Sequence, residues 1–281
     1  MNGMGMKKIE SRENPAFRRI DRIRRHKSPG DEHLLFLEGV RLCVDAIRSG
    51  VPVRQMIISE TASIRPEVQE MLTQVIAEEE TLLLSDRLFS LLADTGQPQG
   101  VAMLCARPAL HLEQSAAKPD GLYLVLEGVS DPGNVGTLIR TADAFSFDAI
   151  LILPQTASPF NDKAMRSSMG SCFHLPLIEM PDLTAVRHFV DTAGLSLYAA
   201  DLDGDSIMDK PFDRPGALII GNEAHGISDQ ARQICDRLVT IPMPGLAESL
   251  NAAAAGAILC HELRRVRLGM TRPSDFTSKM Q

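Results

Sequence analysis

Three segments of the C-terminal half hold residue types and spacings suited to chemistry. In LEGVSDPGNVGTLIRTADAF (126–145) the turn Asp131-Pro132-Gly133-Asn134 joins a strand to a helix that carries Arg140. Asn134, Thr137, Arg140 and Thr141 recur along one side of that helix. The first turn of a helix offers unpaired backbone N–H groups to an anion, so a phosphodiester has a dock near Asn134 with the Arg140 guanidinium beside it. Taken alone, this segment is better explained by Arg140 as an exposed helix arginine. In LIIGNEAHGIS (218–228), Gly221 ends an apolar run, where a missing side chain permits close approach of a flat ligand. Glu223 and His225 fall together there, but one carboxylate and one imidazole are too few for a zinc site. His225 reads as a loop or helix-start residue, and no metal is expected. In IPMPGLAESLNAAAAGAI (241–258), two prolines and Gly245 force an irregular loop before a helix with Ser249 as its expected N-cap. The stretch from Ala252 to Gly256 carries little side chain, which suits close packing on another helix or on a bound small molecule.

All three segments follow strands, and open α/β sheets bind ligands beyond the carboxyl ends of their strands. Apolar runs at 122–127, 149–153, 195–200, 217–221 and 238–241 read as strands. Helical patterns lie between them, near 134–145, 162–169, 182–193 and 228–235, and a last helix spans 249–266. This alternation predicts a mostly parallel sheet with helices on both faces. Upstream, strands at 34–39, 53–59, 81–85 and 100–106 alternate with helices at 40–50, 65–80 and 86–94, a small α/β unit. The boundaries expected are a basic N-terminal arm (1–27), the small α/β domain (28–107), a linker (108–120) and the sheet domain (121–281).

Charge is distributed unevenly. The net charge is −7, yet residues 1–27 hold nine Lys or Arg against three acids. A basic arm on an acidic body suits a polyanionic partner, although a solvated terminus that binds nothing explains the charge equally. No apolar stretch is long enough to cross a bilayer and the N-terminus lacks a secretory core, so a cytoplasmic protein is expected. The five scattered cysteines read as isolated buried thiols.

Taken together and in this order, NVGTLIRTA, GNEAHGI and IPMPGLAESLNAA resemble the three signature motifs of the SpoU (TrmH-like) RNA methyltransferases. The resemblance extends through RSSMG (166–170) and upstream to FLEGVR (36–41) and the basic segment, which are similar to the family's small substrate-binding domain. Ser146 departs from the pattern, standing where relatives place a helix-ending glycine. A left-handed residue there costs more in serine.

The resemblance implies a SPOUT α/β fold with a C-terminal trefoil knot, a homodimer, and S-adenosylmethionine as methyl donor to a ribose 2′-hydroxyl. The implied cofactor positions are Gly221, Ile241 and Leu250, with Met243, Gly245 and Glu223 as lesser ones. Arg140 is the implied catalytic residue, with Asn134 as its partner. A guanidinium keeps its proton to beyond pH ~12, so an electrostatic clamp on phosphate and developing alkoxide suits arginine better than the part of a base. RNA contacts are expected from Arg18, Arg19, Arg22, Arg24, Arg25, Lys27, Arg41, Ser249 and Asn251. Ribosomal RNA ranks ahead of transfer RNA as target, because a separate N-terminal domain is present. The alternatives are a transfer-RNA 2′-O-methyltransferase, base N-methylation, and an RNA-binding or ribosome-assembly protein that keeps the fold without catalysis. A nicotinamide oxidoreductase is disfavoured, since no G-x-G-x-x-G follows the first strand.

Overall fold

Leu124, Val125 and Leu126 are fully buried in a strand with parallel neighbours on both sides, the environment that an uninterrupted apolar run requires. A computed structural model describes residues 6–25, 27, 29–108 and 116–269. The chain divides into two units, residues 1–109 and 110–281. Residues 109–115 of the expected linker lie outside the described residues.

In the first unit, five strands, β1 (Met6–Ile9), β2 (Leu34–Glu38), β3 (Val53–Ser59), β4 (Thr81–Leu84) and β5 (Val101–Ala106), lie in the order β1-β4-β3-β5-β2. Five helices accompany them: α1 (Pro15–Arg24), α2 (Val40–Arg48), α3 (Glu60–Ser63), α4 (Pro66–Thr73) and α5 (Asp86–Leu92). The basic segment is not an arm. Its residues form β1, which pairs in parallel with β4, and α1, which Asn14 caps by accepting from Ala16 N. Phe17, Ile20 and Ile23 of α1 enter the core with Ile9, Phe36, Ile57 and Phe89. Apolar spacing of three residues along α1 outweighs its charge, because burying those three side chains is worth several kcal/mol.

In the second unit, β6 (Tyr123–Leu126), β7 (Ala149–Ile152), β8 (Leu177–Glu179), β9 (Ser196–Ser206), β10 (Gly216–Ile220) and β11 (Arg237–Thr240) form one sheet. Their order is β11-β9-β10-β6-β7-β8, and every ladder is parallel. The helices are α6 (Pro132–Ala144), α7 (Asp162–Ser168), α8 (Leu183–Thr192), α9 (Asp229–Ile234) and α10 (Ala252–Arg267). Val186 and Phe189 of α8 and Ala231 of α9 share a core with Val125, Leu151 and Ile219 on one face. On the other face α10 meets Ile220 and packs on α6, where a Cβ on Gly256 would collide with Leu138. The expected parallel sheet with helices on both faces is therefore observed. A Cβ on Gly136 would collide with the Ala164 carbonyl, so this glycine sets the approach of α7 to α6. The Asp148 carboxylate accepts from Lys118 Nζ, Leu122 N and Arg267 Nη1, which ties the last turn of α10 to the start of the unit.

All five cysteines are free thiols, four buried and Cys235 partly so. Among the described residues no helix is long and apolar enough to cross a membrane.

Ser146 is left-handed, with φ +55°, just past the C-cap Phe145. The left-handed region costs an L-residue about 1–2 kcal/mol that glycine avoids, partly offset by the entropy glycine loses on folding. Ser146→Gly is therefore expected to stabilise the protein by about 0.5–1 kcal/mol, read as a higher melting temperature in thermal denaturation.

Candidate active site

Because all six strands run parallel, their carboxyl ends share one edge, and the segments after β6, β10 and β11 converge there. Glu223, in the turn after β10, makes the central connection. Its Oε2 accepts from Ser130 N (2.9 Å) and Ser130 Oγ (2.8 Å), and its Oε1 accepts from Asp131 N (3.0 Å) and Asn134 Nδ2 (2.8 Å). Desolvation would raise the carboxyl pKa, but the hydrogen bonds from Asn134, Ser130 and Asp131 outweigh it and hold the group at about 2. An ionised carboxylate only accepts, so the Asn134 amide must donate to it and turn its oxygen away. That oxygen accepts from Asn251 Nδ2 at 3.0 Å, and Asn251 Oδ1 in turn accepts from Ala253 N and Ala254 N. The three motifs are thus joined through Glu223, Asn134 and Asn251, each group fixing the orientation of the next. Asn251, rather than Ser249, is the N-cap of α10.

Asn222 adds a second tie. Its Nδ2 donates to Gly128 O (2.8 Å), while its Oδ1 accepts from Ala224 N and His225 N and shapes the turn. This turn is closed by an antiparallel bridge between Asn222 and Gly226. A Cβ on Gly221 would collide with the Gly226 backbone, so the tight turn itself, ahead of any ligand, requires glycine here.

Beside these ties lies a cavity of about 430 Å³, within the range of small-molecule sites. Gly221, Glu223, Ile241, Met243 and Leu250, all expected at the cofactor, line it, as does Ser249. Gly245 does not; it is exposed, with open space around it. Asp201 and Asp203, which line the cavity from within β9, were not expected. The strand runs on to Ser206, beyond the apolar stretch that ends at Ala200, and only the acids of A-A-D-L-D-G-D mark the extension. Asp201 is ion-paired with Arg232 on the same wall. The lining fits S-adenosylmethionine. Apolar Ile220, Ile241 and Leu259 with the small Ala252 and Ala255 suit a flat heterocycle, and the acids suit a ligand of net positive charge.

Arg140 stands on α6 with Thr137, on the stripe left exposed when Val135, Gly136, Leu138, Ile139 and Ala142 are buried. It does not line the cavity, and its side chain has no hydrogen-bond or ion-pair partner among the described residues.

The basic residues of the first unit separate into two groups. Arg19 pairs with Asp31 and Glu79, and Arg24 with Asp21 and Asp94, so both are used within the unit. Arg18, Arg22 and Arg25 line a surface groove, Lys27 is exposed, and Arg41 lies on α2 within 4.0 Å of Asp45.

Residues 121–261 match the SpoU rRNA Methylase family, and residues 14–103 match the MRM3-like substrate binding domain. The 23S rRNA (guanosine(2553)-2'-O)-methyltransferase RlmP of Bacillus subtilis is 31% identical over 92% of this chain and 100% of its own length. A 23S rRNA (uridine(2479)-2'-O)-methyltransferase of Streptomyces viridochromogenes is 33% identical over 82% of each chain. Among solved structures, the SpoU methyltransferase AviRb from Streptomyces viridochromogenes, in complex with AdoMet, superposes with a TM-score of 0.81 at 30% identity. The match covers 91% of this chain and 99% of that one. An AdoMet-bound rRNA methyltransferase from Sinorhizobium meliloti matches with a TM-score of 0.82 at 27% identity, over 93% and 98% of the two chains. With its three motif segments tied at one strand edge and relatives matched along nearly its whole length, the chain belongs to the SpoU rRNA methylase family.

Proposed function

We infer that this chain methylates a ribose 2′-hydroxyl of ribosomal RNA. The observation that carries the reading is the relay from Glu223 through Asn134 to Asn251. It sets the helix bearing Arg140 against the wall of the cofactor cavity. Bound S-adenosylmethionine supplies an electrophilic methyl group on sulfur. The chain's own part is alignment, because a ribose hydroxyl is a weak nucleophile and its oxygen must be held in line with the methyl carbon. Arg140, exposed and without a side-chain partner among the described residues, is free to grip the phosphate beside the target ribose and to stabilise charge developing on the oxygen. Asn134 and Asn251 are positioning residues that hold α6 and α10 in register. Ribosomal rather than transfer RNA is supported by the 23S rRNA 2'-O-methyltransferases among the relatives and by the match to a substrate binding domain. Such a substrate places the work in the cytoplasm. We also assign a homodimer and a knotted C-terminal segment. Support for the first comes from Leu246 and Ile258, exposed apolar side chains on the loop before α10 and on α10 itself. Support for the second comes from the match of the chain to the SpoU family and its superposition on a SpoU methyltransferase.

The test is transfer of tritiated methyl groups to purified ribosomal and transfer RNA, followed by mapping of 2′-O-methyl sites in RNA from cells with and without the protein. One ribose mark in ribosomal RNA that disappears with the protein is expected. Methylation confined to transfer RNA, or to a base, would overturn the assignment.

A further inference from the structure

Methyl transfer changes the charge of the ligand that the cavity holds. The ribose oxygen gains a bond to carbon, the carbon–sulfur bond breaks with its electron pair left on sulfur, and the hydroxyl proton leaves to solvent. A sulfonium donor thereby becomes a neutral thioether of nearly the same shape. Stacking and shape separate the two poorly, whereas charge in the cavity wall separates them directly.

The wall carries such charge. Three of its carboxylates, Asp201, Asp203 and Glu223, stand against a single arginine, Arg232. Asp201 and Asp203 lie two apart on β9, so their side chains leave the same face of the strand. Asp201 is spent within the fold: its side chain is only 4% exposed, pairs with Arg232 and accepts from Asp203 N at 2.9 Å. Glu223 is likewise occupied by the segment 130–134. Asp203 differs from both. It is exposed, and its carboxylate has no hydrogen-bond or ion-pair partner among the described residues. An acid that only shaped the loop would need a donor, as Asp201 has. Ile220, Ile241 and Leu259 make much of the remaining wall apolar, and a cleft with low-dielectric walls and an excess of one charge focuses its field on what it encloses.

We propose that Asp203 is a specificity-determining residue that selects the charged donor over the spent product, so that S-adenosylmethionine binds more tightly than S-adenosylhomocysteine and the product is released. The inference rests on the reading of this cavity as the S-adenosylmethionine site, and it gives a role to a residue outside all three motifs.

Calorimetric titration of the full chain measures affinity for S-adenosylmethionine, for S-adenosylhomocysteine and for sinefungin, in which an amine carries the positive charge in place of the sulfonium. Asp203→Asn is compared with Asp203→Glu, which keeps the charge. A second comparison is Asp209→Asn, which removes equal charge from an exposed position that does not line the cavity. Asp203→Asn should weaken S-adenosylmethionine and sinefungin about fivefold, the effect of one unit charge over several ångströms at intermediate dielectric, and leave S-adenosylhomocysteine nearly unchanged. Asp203→Glu and Asp209→Asn should keep the wild-type ratio of donor to product affinity, and added salt should narrow that ratio in the wild type. Melting temperatures should not move, because the Asp203 carboxylate holds nothing in the fold. Equal weakening of all three ligands by Asp203→Asn, the mark of a lost hydrogen bond or a disturbed loop, would overturn the proposal. So would a matching shift from Asp209→Asn, which would trace the preference to the charge of the whole molecule. No affinity of the wild type for any of the three ligands sinks the cofactor reading and this inference with it. Donor binding with one ratio throughout the variants sinks this inference alone.

Discussion

Arg140→Ala is expected to lower methyl transfer by at least about 100-fold while leaving affinity for S-adenosylmethionine unchanged. The size follows from what one preorganised cationic donor contributes where negative charge develops. The selectivity follows from position: Arg140 does not line the cavity beside Glu223 and makes no internal ion pair or hydrogen bond among the described residues. Alanine is also the best helix former, so the exposed stripe of α6 loses no stability by the change. Arg140→Lys should recover only part of the rate, since an ammonium supplies a point charge but not the two-pronged grip of a guanidinium on phosphate. Single-turnover methyl transfer and calorimetric titration of the donor separate the two quantities. Near-normal turnover in the alanine variant would remove Arg140 from the mechanism, and loss of donor binding would make it part of the cofactor site.

How far the sequence reveals the molecule depends on whether the information is local. The central strands β6, β7 and β10 are legible because a strand buried on both faces needs an unbroken apolar run, and each has one. Helix α4 is legible only at its start. The pattern runs on to Glu80, yet the helix stops at Thr73, because Glu78 and Glu79 bond through backbone N–H to Val53 and Arg54 while their carboxylates pair with Arg54. Those partners lie more than twenty residues away, and no window of sequence contains them. The basic segment misleads in the opposite direction, for its charge is plain while the apolar face of Phe17, Ile20 and Ile23 is the part that decides its place. At the site, the residue set is legible as three motifs, but the bonds among them are not. Glu223 reads as a cofactor candidate. The structure adds that its carboxylate accepts four hydrogen bonds from the segment 130–134, a role that depends on two loops about ninety residues apart.

That role gives Glu223→Gln its expected consequence, a fall in methyl transfer on the order of 100-fold at neutral pH, the loss that a misplacement of about 1 Å among reacting groups brings. Glutamine keeps the shape but turns one acceptor into a donor. Whichever way the amide lies, its N–H₂ faces a backbone donor: Ser130 N on one side, where only the Ser130 hydroxyl can turn to accept, or Asp131 N together with Asn134 Nδ2 on the other. In the second orientation Asn134 loses the partner that fixes its amide, and with it the reason for its oxygen to face Asn251. The pH dependence distinguishes this ionic tie from simple packing. The folded pKa of about 2 lies below the ordinary value of 4.5, so the stability that Glu223 contributes is complete above about pH 4.5 and is lost as pH falls towards 2. The variant lacks that contribution at every pH. The difference in melting temperature between the wild type and Glu223→Gln should therefore be largest at neutral pH and shrink as the solution is acidified below about 4.5. A difference that stays constant through this range would show that ionisation of Glu223 does not hold the loops, and would leave the convergence of the three motifs to packing alone.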